Sequence, residues 1–172
     1  HTHQQTPPPP KLDDPEYNAG ILDTWRLHVK KARTLYRDAD IKQAEAELLK
    51  ALELAAHFGS SSGPMATSLL SLAQRYMRVE RWRDAEPLLE RAADVLDQTA
   101  GPGNHVTLLA FKDLAKVQLA RRDASAAVET CRDLLERMEE AEQEATTRKA
   151  PPPKLEGMRA AVLLDKARAE AP

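Results

Sequence analysis

The chain has 172 residues, of which 30% are charged and only 4% aromatic, and it carries a formal net charge of -2 at pH 7. That length predicts one domain, or one repeat array with tails, and the near-neutral charge excludes a general pull toward nucleic acid or anionic membrane. With so few aromatic residues the core has to be built from leucine and alanine, which suits close helix packing better than a β-sandwich.

No apolar run approaches the roughly 20 residues of a membrane helix, so a soluble protein is expected. The sequence does not fix its compartment, which would be cytoplasmic or, if a leader was removed before His1, organellar or exported. The single Cys131 rules out an intrachain disulfide, and its place on an apolar stripe predicts a buried, inert thiol.

Residues 1–14 form a polar, proline-rich tail in which Pro7–Pro10 should adopt polyproline II and stay out of any packed core. Asp13 or Asp14 followed by Pro15 reads as a helix start. The first helix is predicted over about Pro15–Arg37, with Leu22, Trp25, Val29, Ala32 and Tyr36 on one stripe. Asp38-Ala39-Asp40 turns the chain into a second helix, about Ile41–His57, and Gly59–Pro64 is a loop.

The stretch Ala66–Leu96 then reads as a helical hairpin. Leu69, Leu72, Ala73 and Tyr76 recur at i, i+3, i+4 and i+7. After a polar break at Arg78–Arg83, Ala85, Leu88, Leu89, Ala92, Val95 and Leu96 form a second stripe. Gly101–Asn104 breaks the chain again, and two further helices are expected over about Val106–Arg121 and Ser125–Glu144. A linker at 146–153 precedes a last helix, Lys154–Ala169, with Leu155, Met158, Val162 and Leu163 turned inward as a cap on the preceding hairpin.

The hairpin recurs. Ala32, Ala73 and Ala115 are spaced by 41 and 42 residues, as are Ala44, Ala85 and Ala127. One hairpin cannot bury both of its faces, so three in series predict an all-α, right-handed solenoid. The hairpins are placed at about 15–58, 65–99 and 105–145, with a capping segment at 154–172.

The A-E-P-L-L-E-R-A run at Ala85–Ala92 resembles the second helix of a tetratricopeptide repeat, in the long form found in kinesin light chains. Gly101–Leu109 followed by Leu114-Ala115 is similar to that family's inter-repeat turn and next first helix. The resemblance covers about Trp25–Met138. It departs at Ala46, where the motif prefers proline, at Val128, where it prefers glutamate, and at Val106, where proline is usual after His105.

The resemblance implies a noncatalytic protein–protein interaction scaffold whose first helices line a concave groove. That groove face would comprise Arg26, Val29, Arg33, Tyr36 and Arg37 in the first repeat. Thr67, Leu70, Gln74, Met77 and Arg78 would follow in the second, and Leu109, Lys112, Lys116 and Leu119 in the third. Cationic heads among apolar side chains favour an extended peptide or helix carrying acidic residues. Val29, Leu70 and Gln74 stand where the family's carboxylate clamp for chaperone tails wants lysine or asparagine, so a chaperone role is not implied.

No phosphate loop, nucleophile elbow or dinucleotide glycine pattern occurs, and the five histidines lack metal-ligand spacing, so no enzyme, cofactor or metal site is expected. The remaining carboxylates are expected on solvated faces. The alternative function is a helical-repeat RNA binder, which would need a continuous basic face.

Overall fold

The computed structural model describes residues 14–172; the proline-rich segment lies outside the described residues. Every regular element among the described residues is helical: α1 (Pro15–Arg37), α2 (Ile41–Ala55), α3 (Gly63–Arg78), α4 (Trp82–Thr99), α5 (His105–Ala120), α6 (Ala124–Thr147) and α7 (Glu156–Glu170), with a 3-10 turn at Ala56–Phe58. The described chain forms two compact units, one ending at His57 and one spanning Phe58–Pro172.

In the first unit, the Asp14 side chain accepts hydrogen bonds from the backbone N–H groups of Glu16 (3.0 Å) and Tyr17 (3.4 Å), and Pro15 opens α1. This satisfies two of the N–H donors that a helix start leaves unpaired. The stripe of Leu22, Trp25, Val29, Ala32 and Tyr36 is the inward one, with Ala32 buried and the others half-buried. A strict alignment with the middle repeat would turn His28 and Lys31 inward instead. Lys31 is exposed, and half-buried His28 bonds through Nδ1 to Glu47 on α2. The buried Ala44, Ala51 and Ala55 on α2 permit the close helix approach that their small size predicts.

In the second unit, Ser62 caps α3 by accepting from Met65 N–H (3.2 Å), so this helix starts three residues before the predicted hairpin, with Pro64 tolerated in its first turn. Asn104 caps α5 through Val106 N–H (2.9 Å), and Asp123 caps α6 through Ala126 N–H (3.2 Å). His105 is the exposed first residue of α5.

The three intra-hairpin turns share one geometry. Ala39, Glu80 and Arg122, spaced like the repeat, take left-handed φ values of 63°, 59° and 61°. The residue after each donates its N–H five residues back: Asp40 to Leu35 O (2.9 Å), Arg81 to Tyr76 O (2.9 Å) and Asp123 to Gln118 O (3.0 Å). This is a Schellman-type closure of the first helix, achieved without glycine.

The predicted cap is present, with one correction. Leu155 and Val162 join Leu108, Ala115, Cys131, Leu134 and Met138 in one buried cluster, against which Met158 packs. Leu163 does not turn inward and is 49% exposed, because Val162 already occupies that turn of α7 and the next residue is rotated about 100° away. Helix α6 also runs past the expected end to Thr147, closed by Lys149 in a left-handed conformation (φ 54°).

Candidate protein-binding face

Each set of expected groove residues falls within an arc of about 100° on its helix. In the first unit, α1 presents exposed Arg26, Arg33 and Arg37, while Val29 and Tyr36 are half-buried against the hairpin. Arg26 pairs with Asp23 (3.5 Å) and Arg37 with Asp38 (3.7 Å), both at solvent-exposed positions where such pairs hold little energy.

In the second unit the corresponding faces of α3 and α5 lie side by side. Thr67 and Arg78 are exposed and Gln74 and Met77 half-buried; Leu70 is buried at 7% exposure and so offers little surface of its own. On α5, Lys116 is exposed, and Leu109, Lys112 and Leu119 are half-buried. The tie between the two helices is Gln74 Nε2, which donates to Asp113 Oδ2 at 3.1 Å.

Asp113 corrects the expectation that the carboxylates lie on solvated faces. It is a buried acid at only 9% exposure, set between Lys112 and Lys116 in sequence. Burial pushes its carboxyl above the usual range, while the Gln74 hydrogen bond and the two lysine charges pull the other way. The face is therefore not uniformly basic. It is an amphipathic strip with three cations, a fixed amide and a recessed acid. A hint lay in the sequence, since position 113 is one residue from groove-facing Lys112 and two from core residue Ala115.

Other charges in this unit serve the fold. Arg137 on α6 is held by both oxygens of Asp97 on α4 (2.8 and 3.3 Å), by Asp133 (2.8 Å) and by the Pro102 carbonyl (3.2 Å), and its guanidinium lies 4.1 Å from the Phe111 ring centroid. One side chain thereby joins α4, the α4–α5 turn, α5 and α6. The Asp97 carboxyl is held below its ordinary range by the Arg137 hydrogen bond, and the guanidinium is raised in turn. Arg121 pairs with Glu86, and Arg159 of α7 with Glu142 of α6.

Cys131 is fully buried, and desolvation raises its thiol, as the apolar stripe predicted. Among the described residues no three His, Cys, Asp or Glu side chains are placed to hold a metal ion, and no helix is long and apolar enough to cross a membrane.

Residues 64–140 match a family model described as tetratricopeptide repeat. The α3–α4 and α5–α6 hairpins are therefore similar to tetratricopeptide repeats. The helical-hairpin fold agrees with solved structures of such repeats. The N-terminal domain of stress-induced protein-1 from C. elegans superposes with a TM-score of 0.57 at 19% identity, covering 68% of this chain and 86% of that one. A kinesin-light-chain-like protein from Podosopora anserina with nearly identical TPR-like repeats gives a TM-score of 0.63 at 20% identity, covering 87% of this chain and 64% of that one. A second structure of that protein, bearing one substitution, gives 0.56 at 18%, covering 91% and 87%. These identities speak to the fold, an all-α tetratricopeptide-repeat solenoid. No curated protein sequence matches the chain. Tetratricopeptide repeats as a class mediate protein–protein interaction and are typically noncatalytic.

Proposed function

We propose that the chain is a noncatalytic adaptor, or a subunit or assembly factor of a larger complex. It would bind a segment of a partner protein on the first-helix faces of its repeats. The observation that carries this reading is the α3–α5 face. Gln74 and Asp113 fix the two helices side by side, and Met77, Leu109 and Leu119 offer apolar surface beside Lys112, Lys116 and Arg78. A peptide or helix with acidic and apolar side chains complements that strip. Its carboxylates would meet the lysines, and its apolar groups would bury the half-exposed leucines.

The recessed Asp113 adds a condition. A partner presenting acid directly over it would meet repulsion, so a neutral or basic side chain is expected at that point. On α1, the exposed Arg26, Arg33 and Arg37 supply a second basic strip, while Val29 and Tyr36 turn mainly toward the hairpin.

The test is affinity capture from native extract, comparing the parent with Lys112→Glu/Lys116→Glu and, separately, Arg26→Glu/Arg33→Glu, each checked for unchanged helical content. The proposal expects a recurrent partner that is lost in the first variant and weakened in the second, with salt-sensitive binding. Full retention by both variants would move the site elsewhere, and a captured nucleic acid in place of protein would favour the RNA-binding alternative.

A further inference from the structure

Among the described residues Asp113 is the one acid in the buried class. Buried carboxylates are ordinarily paired with a cation, and less buried acids of this unit follow that rule: Asp97 holds Arg137 and Glu86 holds Arg121. Asp113 has no ion pair among the described residues. Its one hydrogen bond comes from the neutral Gln74 amide to Oδ2, which leaves Oδ1 unbonded. That oxygen is not among the fully enclosed polar atoms, so it remains reachable from outside. A charge held in this way disfavours the fold, and burial accordingly pushes the carboxyl up.

The neighbouring lysines restrict what can reach it. Lys112 and Lys116, neither ion-paired among the described residues, stand one residue before and three after Asp113. They lie within about 40° of each other around α5 and about 6 Å apart along it. Alternate residues of an extended segment are about 6.6 Å apart and point to one side, while the side chain between them points to the other. A segment lying along α5 with a carboxylate on each lysine therefore turns its middle side chain toward Asp113, which sits on the α3 side of that pair beside Gln74.

We infer that Asp113 is the specificity-determining residue of this face, pairing through Oδ1 with one basic side chain of the bound segment, so that the segment recognised reads acidic–basic–acidic. The inference rests on the α3–α5 face being the partner-binding one. The two carboxylates neutralise lysines that would otherwise repel the incoming cation, and the cation gives the buried acid the partner that the fold withholds. A neutral side chain at that point leaves the acid unpaired and more deeply buried, and an acidic one adds like-charge repulsion.

The probes are capped, fluorescently labelled peptides Leu-Ser-Glu-X-Glu-Ser-Leu with X as Arg, Gln or Glu, titrated with the full chain and followed by anisotropy. At pH 7 the Arg peptide should bind about 10-fold or more tighter than the Gln peptide, and the Glu peptide weakest. Asp113→Asn, with unchanged circular dichroism, should remove the preference for Arg over Gln while still binding both. The parent alone supplies a second readout. Among the described residues the charges acting on Asp113 are those of Lys112 and Lys116, with Gln74 facing it from α3. Only the ionised acid pairs with a guanidinium, so the Arg-to-Gln affinity ratio should climb as pH rises from 3.8 through the raised folded value and then level off. Taking the ratio cancels the titration of the glutamates that both peptides share.

Equal affinities for the Arg and Gln peptides, a preference that survives Asp113→Asn, or a ratio flat with pH would each overturn the inference while leaving the face as the binding site. Binding of no peptide, or binding undiminished in Lys112→Glu/Lys116→Glu, would instead overturn the face itself and this inference with it.

Discussion

Arg137→Ala is the perturbation that most directly probes how the second unit is held together. The side chain is 14% exposed and joins Asp97, Asp133, the Pro102 carbonyl and the Phe111 ring. Hydrogen bonds to charged groups contribute about 1.5–3 kcal/mol each, but they share one guanidinium and do not add. Asp97 and Asp133 are 35% and 44% exposed, so both carboxylates recover water once the arginine is gone. The cost should therefore fall between the ~1 kcal/mol of an exposed pair and the 3–5 kcal/mol of a buried one. About 2–3 kcal/mol is expected, including the lost packing on Phe111.

For a unit of this size that corresponds to a fall in Tm of about 8–12 °C. Urea and thermal unfolding followed by circular dichroism at pH 7 measure both quantities. Arg137→Lys should lose more than half as much, because an ammonium cannot bridge Asp97 with two hydrogen bonds while also reaching Asp133. The dependence on pH has a definite sign. Arg137 lowers the folded pKa of Asp97 below its ordinary 3.8, so the stabilisation is complete well above that value and is lost as acidification carries the pH through the folded pKa. The gap between parent and variant should be flat from pH 7 to about 5 and narrow below about 4. A loss under about 0.5 kcal/mol at pH 7 would refute the reasoning, since the network would then hold nothing beyond ordinary surface pairs.

Three further outcomes are expected. A Cβ on Gly103 would lie 2.9 Å from the Ala141 Cβ, so Gly103→Ala should cost about 1–2 kcal/mol. In the Ala141→Gly background that added cost should disappear, as a double-mutant cycle in urea would show. Arg122→Gly removes the strain of a left-handed non-glycine residue (φ 61°) and should leave stability unchanged or raise it by up to about 1 kcal/mol, whereas Arg122→Val should lower it. Asp113 has a raised folded pKa, so its ionisation disfavours the fold increasingly as pH rises from 3.8 through that raised value. Asp113→Asn should therefore be more stable than the parent at pH 7 and indistinguishable from it at pH 3, by urea midpoints.

Helix periodicity and alanine spacing carried most of the fold, because a leucine–alanine core leaves its 3.6-residue period in the sequence and the paired alanines mark where helices approach. The turns were less legible. Ala39, Glu80 and Arg122 hold left-handed positions that glycine usually marks, and the strain is met by the closing backbone hydrogen bonds. Leu163 was misplaced because α7 carries two apolar stripes, and periodicity alone does not say which one faces the core.

At the candidate face, the helix positions of Lys112 and Lys116 follow from the repeat register. The burial of Asp113 and its bond to Gln74 join residues 39 apart and depend on how α3 sits beside α5. Long-range pairs such as Arg137 with Asp97 are hidden for the same reason, since no local spacing distinguishes them from solvated charges.

The central claim, that partners bind the first-helix face, is tested most directly by amide hydrogen exchange of the chain with and without its captured partner. Added protection concentrated on α3 and α5, strongest around Gln74–Arg78 and Leu109–Leu119, is the predicted result. Protection confined to α4 and α6, with α3 and α5 unchanged, would contradict it.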